Sequence, residues 1–330
     1  SYGCCDLGPV VLPRFVTHPF GFGGEPAFDF RRFAQAVAVQ VRALDNVLDL
    51  TWWPLKQQRD EAYAKRRIGV GFTGLGNALT MLKLRYDRAE GRAMATKIAK
   101  CMRDAAYTAS VGLAQEKGAF PRFDANQLLA EGTFASRLPQ TLKTAIRTHG
   151  LRNSHLLSIA PTGTVSLAFA DNTSNGIEPS FSWIYRRKKR EAQGSTREYA
   201  VEDHAWRLYR ELGGDVNALP DYFISAQAMS VDDHIAMMQA VQPYIDSAIS
   251  KTVNVPVDYP YDDFKDLYRR AWDARLKGLA TYRRNQVLGS VLDTGEAAMP
   301  LKYIGMPPGD SGIRKRADRH PTADGRRCRN

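Results

Sequence analysis

Apolar and polar positions along this chain alternate between helix-like and strand-like stretches. Apolar residues at three- and four-residue steps predict amphipathic helices, most clearly at Phe30, Phe33, Val37, Val41, Leu44 and Leu48 and at Ala95, Ile98, Met102, Ala105, Ala109 and Leu113. Short apolar runs predict strands at 7–15, 66–72, 156–160, 251–256 and 279–282. This repeated strand–helix–strand order predicts an α/β fold with parallel strands and helices packed outside them.

The second half of the chain carries a helix with a proline inside it. Ser230 is placed to cap the helix, whose apolar positions continue to Ile249. Pro243 falls within that pattern and should kink the helix or split it in two. Before it, a basic cluster at 186–190 and Gly194 predict a surface hairpin or loop.

The apolar pattern fails from about Leu292 onward, where Gly, Pro, Arg and Asp dominate. We therefore expect two parts, a folded domain over residues 1–291 and a basic, disordered tail over 292–330. The first residue is Ser rather than Met, and neither a basic n-region nor an apolar h-region follows it. The expectation is a cut inside a longer chain.

Composition limits the classes of protein to which this chain can belong. Hydrophobic residues make up 44% and charged residues 25%, which is typical of a globular domain. No apolar run reaches the ~20 residues that span a bilayer, so we expect no membrane partner. The four cysteines, Cys4, Cys5, Cys101 and Cys328, form neither a C-x-x-C motif nor metal-ligand spacing, and predict no metal site. Their sparsity suits a reducing, cytoplasmic location.

The net charge of +11 suits a polyanionic ligand. It is concentrated in the cluster at 186–190 and in arginines of the last 17 residues. Such runs more often form a solvated face or a tail than a nucleic-acid site. No DNA- or RNA-reading motif supports them, although a basic, nucleic-acid-associated protein stays open as an alternative.

A strand followed by a turn and a short helix is the candidate for chemistry. The apolar run 156–160 leads into Pro161-Thr162-Gly163-Thr164, and Val165 lies in the start of the helix. Backbone N–H groups at a helix start can hold an anion, and the hydroxyls of Thr162, Thr164 and Ser166 could add donors. There is no Walker A pattern, and an ordinary capped turn remains an equal alternative.

A second glycine pattern, Gly69-x-Gly71-x-x-Gly74, has the spacing of a dinucleotide fingerprint, with Asp87 or Glu90 as its acid. That site needs another strand about 30 residues on. A helical stripe occupies that position instead, so we interpret the glycines as allowing close packing of helix against strand.

Several of these motifs resemble the large, catalytic chain of ribonucleotide reductases, most closely the adenosylcobalamin-dependent class II enzymes. The signature is IAPTGTVSLAFADNTSNGIEP, and further matches follow the same order along the chain: YGCCDLG, RRIGVGFTGLGNAL, EKGAFPRF, SKTVNVP and LKGLATYRRN. The resemblance implies the second half of a ten-stranded α/β barrel. It also implies reduction of ribonucleotides to deoxyribonucleotides by thiyl-radical chemistry, with adenosylcobalamin supplying the radical.

Site residues and partners follow from the same resemblance. Pro161, Thr162, Gly163, Thr164 and Val165 would hold the substrate phosphates. Cys5 would be one of two redox cysteines, re-reduced by a thioredoxin-like protein. The partners implied are a ribonucleotide substrate and the N-terminal part of the same enzyme, and the resemblance allows a homodimer.

The chain departs from the family pattern in ways that bear on activity. The N-x-C-x-E motif of the thiyl cysteine would fall before Ser1, as would the other redox cysteine. Leu279 replaces a cysteine common in relatives, Cys4 replaces an alanine, and only Cys328 remains of a cysteine pair in the tail. We therefore expect the isolated chain to be inactive. A non-catalytic nucleotide-binding half that needs a companion chain is the alternative.

Three other residues have two interpretations each. Glu178 could belong to the polar machinery of the barrel or to a loop ion pair, and the sequence does not choose between them. Lys251 and Asn254 could reach a phosphate, but surface roles are favoured.

Overall fold

A computed structural model describes residues 3–190, 196–255, 257–283 and 292–293 of the 330. Its helices are α1 (Phe30–Leu50), α2 (Lys56–Lys65), α3 (Leu75–Met81), α4 (Ala89–Lys117), α5 (Ala125–Leu128), α6 (Gln140–His149), α7 (Gly163–Phe169), α8 (His204–Glu211), α9 (Val231–Val241) and α10 (Tyr261–Asp273). Its strands are β1 (Asp6–Val11), β2 (Val16–Thr17), β3 (Ala27–Phe28), β4 (Ile68–Thr73), β5 (Ile184–Arg190), β6 (Thr196–Glu202), β7 (Thr252–Val255), β8 (Ala280–Arg283) and β9 (Leu292–Asp293).

Parallel pairing runs through the described chain in sequence order. β1 pairs with β4 from Asp6↔Ile68 to Val11↔Thr73. Single parallel bridges continue the order, Val70↔Leu157 and then Ile159↔Ile249. β7 follows three residues later and pairs in parallel with β8. The predicted parallel α/β arrangement is therefore confirmed, and the helices lie in the connections between the parallel segments.

Two long helices contribute their apolar stripes to the main hydrophobic core. Asp29 caps α1 by accepting a hydrogen bond from Arg32 N at 2.9 Å. The predicted apolar stripe of α1 is buried, including Phe33, Val37 and Val41. The stripe of α1 packs in one hydrophobic cluster with the stripe of α4. The α4 helix ends at Gly118, where φ is +84°. Both helix predictions are confirmed.

The glycines of β4 allow a close approach, but to strands rather than to a helix. A Cβ on Gly71 would lie 2.3 Å from the carbonyl oxygen of Ser158 in the neighbouring segment. One on Gly69 would lie 2.5 Å from the Leu7 side chain. The helix contact is made by Gly76, where a Cβ would lie 2.7 Å from Pro179 Cα. The described chain runs from β4 into α3 and α4, without the second strand that a dinucleotide fold requires.

Two predicted elements differ from the structure, both because of a proline. The first strand ends at Val11, and Leu12–Phe15 form a 3-10 turn with Pro13 near its start. The helix capped by Ser230 ends at Val241, and a 3-10 turn containing Pro243 follows. The prediction that Ile249 lies on that helix is wrong, because Ile249 is extended and bridges Ile159.

The basic segment forms the predicted hairpin, since β5 and β6 pair antiparallel from Ile184↔Glu202 to Arg190↔Thr196. Leu292–Asp293, the first residues of the predicted tail, pair with β5. Gly194, the proposed boundary at residue 291 and the rest of the tail, with Cys328, lie outside the described residues. No helix in the described ranges is long and apolar enough to cross a membrane.

Candidate functional site

A cavity of about 460 Å³ opens where the Pro161–Thr164 turn meets the loop before and after Gly176 and the carboxyl end of the parallel segments. This volume is in the range of pockets for drug-sized ligands, roughly 300–1,000 Å³. Its lining is Pro161, Gly163, Leu167, Asn172, Thr173, Ser174, Asn175, Glu178, Pro179, Phe181, Ser182, Tyr185, Asp203, Ala226, Ser250, Thr252, Asn254 and Tyr282.

The turn is held in place by the side chain of Thr162. Thr162 has a left-handed backbone, with φ +58°, and is buried. Its hydroxyl lies 2.8 Å from that of Thr73 at the end of β4, and accepts a hydrogen bond from Gly176 N at 2.8 Å. The Ser166 hydroxyl donates to the Thr173 carbonyl oxygen. Both hydroxyls are therefore used inside the protein, and only Thr164, which is exposed, remains of the predicted hydroxyl donors.

The backbone donors of the turn remain available. Ser166 N donates to Thr162 O at 2.8 Å, which closes the first turn of α7. Within the described part of the chain, the N–H groups of Gly163, Thr164 and Val165 have no hydrogen-bond acceptor. Pro161 and Gly163 line the cavity. A Cβ on Gly163 would find its nearest neighbour, Asn175 Nδ2, at 3.8 Å, so there is open space in front of these donors.

Glu178 lines the cavity and forms an ion pair with a buried lysine. Its carboxylate accepts from the Lys251 ammonium and, at 2.8 Å, from Thr252 N. Burial lowers the pKa of Lys251, while the charge of Glu178 opposes the shift. Lys251 is 1% exposed, so the favoured surface role is wrong for it. The pair fixes the Glu178 loop to β7, whose Asn254 lines the cavity.

A buried hydrogen-bond cluster around Asn77 holds residues that line the cavity. The Asn77 amide donates to both oxygens of Asp203, at 2.8 and 2.9 Å, and to Ser180 Oγ at 3.0 Å. Its oxygen accepts from Ser174 N at 2.6 Å. Burial raises the pKa of the Asp203 carboxyl, although the hydrogen bond from Asn77 opposes the shift. Asn77 thus positions two cavity residues, Ser174 and Asp203.

Cys5 lies outside the cavity lining, immediately before β1. Its sulfur is 3.3 Å from the position of a Cβ on Gly69, and Ser158 Cβ is 3.0 Å from the same point. Cys5 therefore lies beside the segment that leads into the turn. Burial raises the pKa of its thiol to about 11, while the charge of Arg67 opposes the shift. Among the described residues, no group of three or more His, Cys, Asp or Glu side chains could hold a metal ion.

A family model described as "Ribonucleotide reductase, barrel domain" matches residues 1–282 of the chain. The chain belongs to the ribonucleotide reductase barrel-domain family. One relative is a vitamin B12-dependent ribonucleoside-diphosphate reductase of Mycobacterium tuberculosis, 32% identical over 319 residues. The match covers 91% of this chain and 42% of that relative.

More distant ribonucleotide reductases match over the same region. The vitamin B12-dependent ribonucleoside-diphosphate reductase of Thermoplasma acidophilum is 28% identical over 90% of this chain and 38% of its own length. The ribonucleoside-diphosphate reductase subunit alpha of Treponema pallidum is 29% identical over 86% of this chain and 31% of its own length. The chain thus spans less than half the length of these curated relatives.

Sequence reasoning missed several residues around this ribonucleotide reductase cavity. Asn77 lies within the GLGNAL motif, which drew attention only for its glycines. Thr173, Ser174 and Asn175 stand in the polar run before Gly176. That dense polar run, directly after a helix and before a glycine, was the available signal for them.

Proposed function

We propose that this chain is the phosphate-binding part of the catalytic barrel of a vitamin B12-dependent ribonucleotide reductase. That enzyme converts ribonucleotides to deoxyribonucleotides and so supplies DNA synthesis. The observation that carries the proposal is the cavity of about 460 Å³, bordered by a turn with three unused backbone donors, in a chain of this family.

The turn suits a phosphate group for three physical reasons. Three adjacent N–H groups at the start of a helix converge on a region where anions are stabilised. Gly163 carries no side chain to block the approach, and the cavity extends from it. The carboxylate of Glu178, on another wall, is balanced by the Lys251 ammonium. We therefore assign the phosphates to Pro161–Val165 and the rest of the nucleotide to the remaining cavity.

Cys5 is proposed as one of the two redox cysteines. In such a reduction two thiols supply two electrons and two protons, the ribose 2′-hydroxyl leaves as water, and the thiols become a disulfide. With a pKa of about 11, the Cys5 thiol holds its proton at neutral pH and can deliver it. The second redox cysteine and the thiyl cysteine would come from a companion segment, and a thioredoxin-like protein in a reducing, cytoplasmic compartment would restore the thiols.

The parallel segments from β1 to β8 are proposed to be the second half of a ten-stranded barrel. Adenosylcobalamin would supply the radical when bound. The described cavity has the volume of a nucleotide-sized ligand and is too small for a corrin with its nucleotide loop and adenosyl group. The cofactor therefore requires surface outside this cavity, and we assign no residue of this chain to it.

Calorimetric titration of the chain with cytidine diphosphate, pyrophosphate and cytidine tests the phosphate assignment. We expect the diphosphate and pyrophosphate to compete for one site, and cytidine to bind at least tenfold more weakly, because charge-assisted hydrogen bonds to phosphate contribute about 1.5–3 kcal/mol each. Equal binding of cytidine and its diphosphate, or no binding of either phosphate compound, would refute the proposal.

A further inference from the structure

The loop 171–175, between α7 and Gly176, has an unusual backbone. Asp171 and Asn172 are consecutive non-glycine residues with left-handed conformations, at φ +55° and +57°. Such a conformation persists where surrounding contacts enforce it. Here the Asp171 carboxylate bonds to His204 Nδ1 at 2.9 Å and pairs with Arg207. The Asn172 amide donates to the Glu202 carbonyl oxygen at 2.7 Å.

Two hydrogen bonds join this loop and the residue after it to α7 and to the Pro161–Val165 turn. The Ser166 hydroxyl donates to the Thr173 carbonyl oxygen. Gly176 N donates to the Thr162 hydroxyl at 2.8 Å. Residues 173–175 are therefore held at a fixed position beside the first turn of α7.

Within this loop, the Thr173 hydroxyl is a buried polar group without a partner. Thr173 is 4% exposed and lines the cavity. Its Oγ1 has no hydrogen-bond partner in the described part of the chain. Buried polar groups in native proteins are nearly always satisfied, so such a hydroxyl requires a partner from outside the described chain. Thr173 borders the cavity, but its Oγ1 is itself closed to water, so a ligand there becomes its partner once the Thr173 side chain turns toward the cavity.

Asn175 places a second donor beside the turn. It is exposed, lines the cavity, and its Nδ2 lies 3.8 Å from the position of a Cβ on Gly163. None of the hydrogen bonds among the described residues uses its side-chain amide. An amide donor therefore stands next to the unused N–H groups of Gly163 and Thr164.

We propose that Thr173 and Asn175 form the second half of the phosphate site, with Thr173 Oγ1 and Asn175 Nδ2 donating to phosphate oxygens of the bound nucleotide. The assignment rests on the proposed function of the Pro161–Val165 turn. It makes the site a cleft between two chain segments rather than a single helix start, and it gives the unpartnered hydroxyl its acceptor.

The test uses the whole chain, with pyrophosphate and cytidine diphosphate as probes in calorimetric titrations. Thr173→Val keeps the side-chain shape and removes the hydroxyl. We expect at least tenfold weaker binding of both probes, with thermal stability unchanged or raised, because an unsatisfied buried hydroxyl has been removed. Thr173→Ser retains the donor and should bind as the parent does.

Asn175→Asp provides an independent variant at an exposed position that does not threaten folding. It places a carboxylate beside the phosphate, so we expect at least tenfold weaker binding, and a smaller loss at high salt. The matched control is Asn126→Asp, which adds the same charge at an exposed residue of α5 outside the cavity lining and should leave binding unchanged.

The outcomes separate this inference from the proposed function. If the parent chain binds neither probe, both fall together. If Gly163→Val abolishes binding while Thr173→Val and Asn175→Asp bind as the parent does, only the second half of the site is refuted. In that case the Thr173 hydroxyl bonds to buried water. If Thr173→Val does not fold, the Asn175→Asp and Asn126→Asp pair alone decides the question.

Discussion

Gly163→Val is the sharpest perturbation of the proposed phosphate turn. Gly163 is the first residue of α7 and is not among the residues with left-handed φ, so a side chain there introduces no backbone strain. Its Cβ would meet Asn175 Nδ2 at 3.8 Å, an ordinary contact, so the protein itself has room for it. The added carbons instead fill space in front of the unused N–H groups of the turn.

The expected loss follows from the hydrogen bonds that the side chain would block. One charge-assisted bond to phosphate contributes about 1.5–3 kcal/mol, which corresponds to a roughly 10- to 150-fold weaker Kd. A phosphate pushed away from the turn should lose at least one such bond. Gly163→Ala, which adds a single carbon, should lose less than the valine variant does.

Titration calorimetry with cytidine diphosphate measures the effect, and thermal unfolding shows whether each variant is folded. The matched control is Gly112→Val in α4, where an added Cβ has no neighbour within 4 Å and lies outside the cavity lining. Lys188→Ala, which removes one charge of the basic segment, should weaken binding far less. A folded Gly163→Val chain with the affinity of the parent would refute the reasoning, as would a bound phosphate located away from this turn.

Three further predictions concern chemistry and stability. The isolated chain should form no deoxynucleotide, because it lacks the proposed thiyl cysteine. The assay supplies adenosylcobalamin, dithiothreitol and each ribonucleotide in turn, and cobalamin-dependent product above background would contradict the prediction. Alkylation should label Cys4 or Cys5 before Cys101, and equal labelling rates would argue against this. The alkylation rate of Cys5 should also rise about tenfold per pH unit from pH 8 to 10, because burial raises the pKa of its thiol to about 11. A plateau of that rate below pH 9 would argue against this environment. Burial lowers the pKa of His234 to about 3, whereas a histidine in the unfolded chain has a pKa of about 6.5. The unfolded chain therefore binds more protons between these values, and the contribution of His234 to the free energy of unfolding should fall by roughly 1.4 kcal/mol per pH unit from pH 6 to 4. Denaturant unfolding of His234→Leu should show a smaller fall than the exposed-site control His149→Leu, and equal slopes would refute the assignment.

Elements defined by local periodicity were predictable from the sequence. The stripes of α1 and α4 and the turn at Pro161 all depend on residues that are close together in the chain. Local periodicity also produced a wrong prediction at Ile249. This residue continues the apolar spacing of α9, although the helix ends before Pro243. Pattern alone cannot distinguish a continued stripe from an apolar residue that happens to keep its spacing.

The walls of the site were not predictable, because long-range contacts build them. Asn77 and Asp203 are 126 residues apart in the chain, and Glu178 and Lys251 are 73 apart. A lysine such as Lys251 is expected on the surface, because burying a charged group costs free energy. The Glu178 carboxylate compensates that cost once the fold brings its loop next to Lys251. The sequence likewise predicted the Thr162 hydroxyl as a ligand donor. In the structure this hydroxyl lies beside that of Thr73 and is used inside the protein.

The sequential order of the parallel segments has a consequence for handling the protein. Among the described residues, β1 pairs with β4 alone and β8 with β7 alone, so the series has two outer edges. Exposed strand edges are templates for pairing with another chain, and Leu7 on β1 is 50% exposed. Expressed on its own, the polypeptide should self-associate as its concentration rises, and co-expression with a segment that covers these edges should improve its solubility.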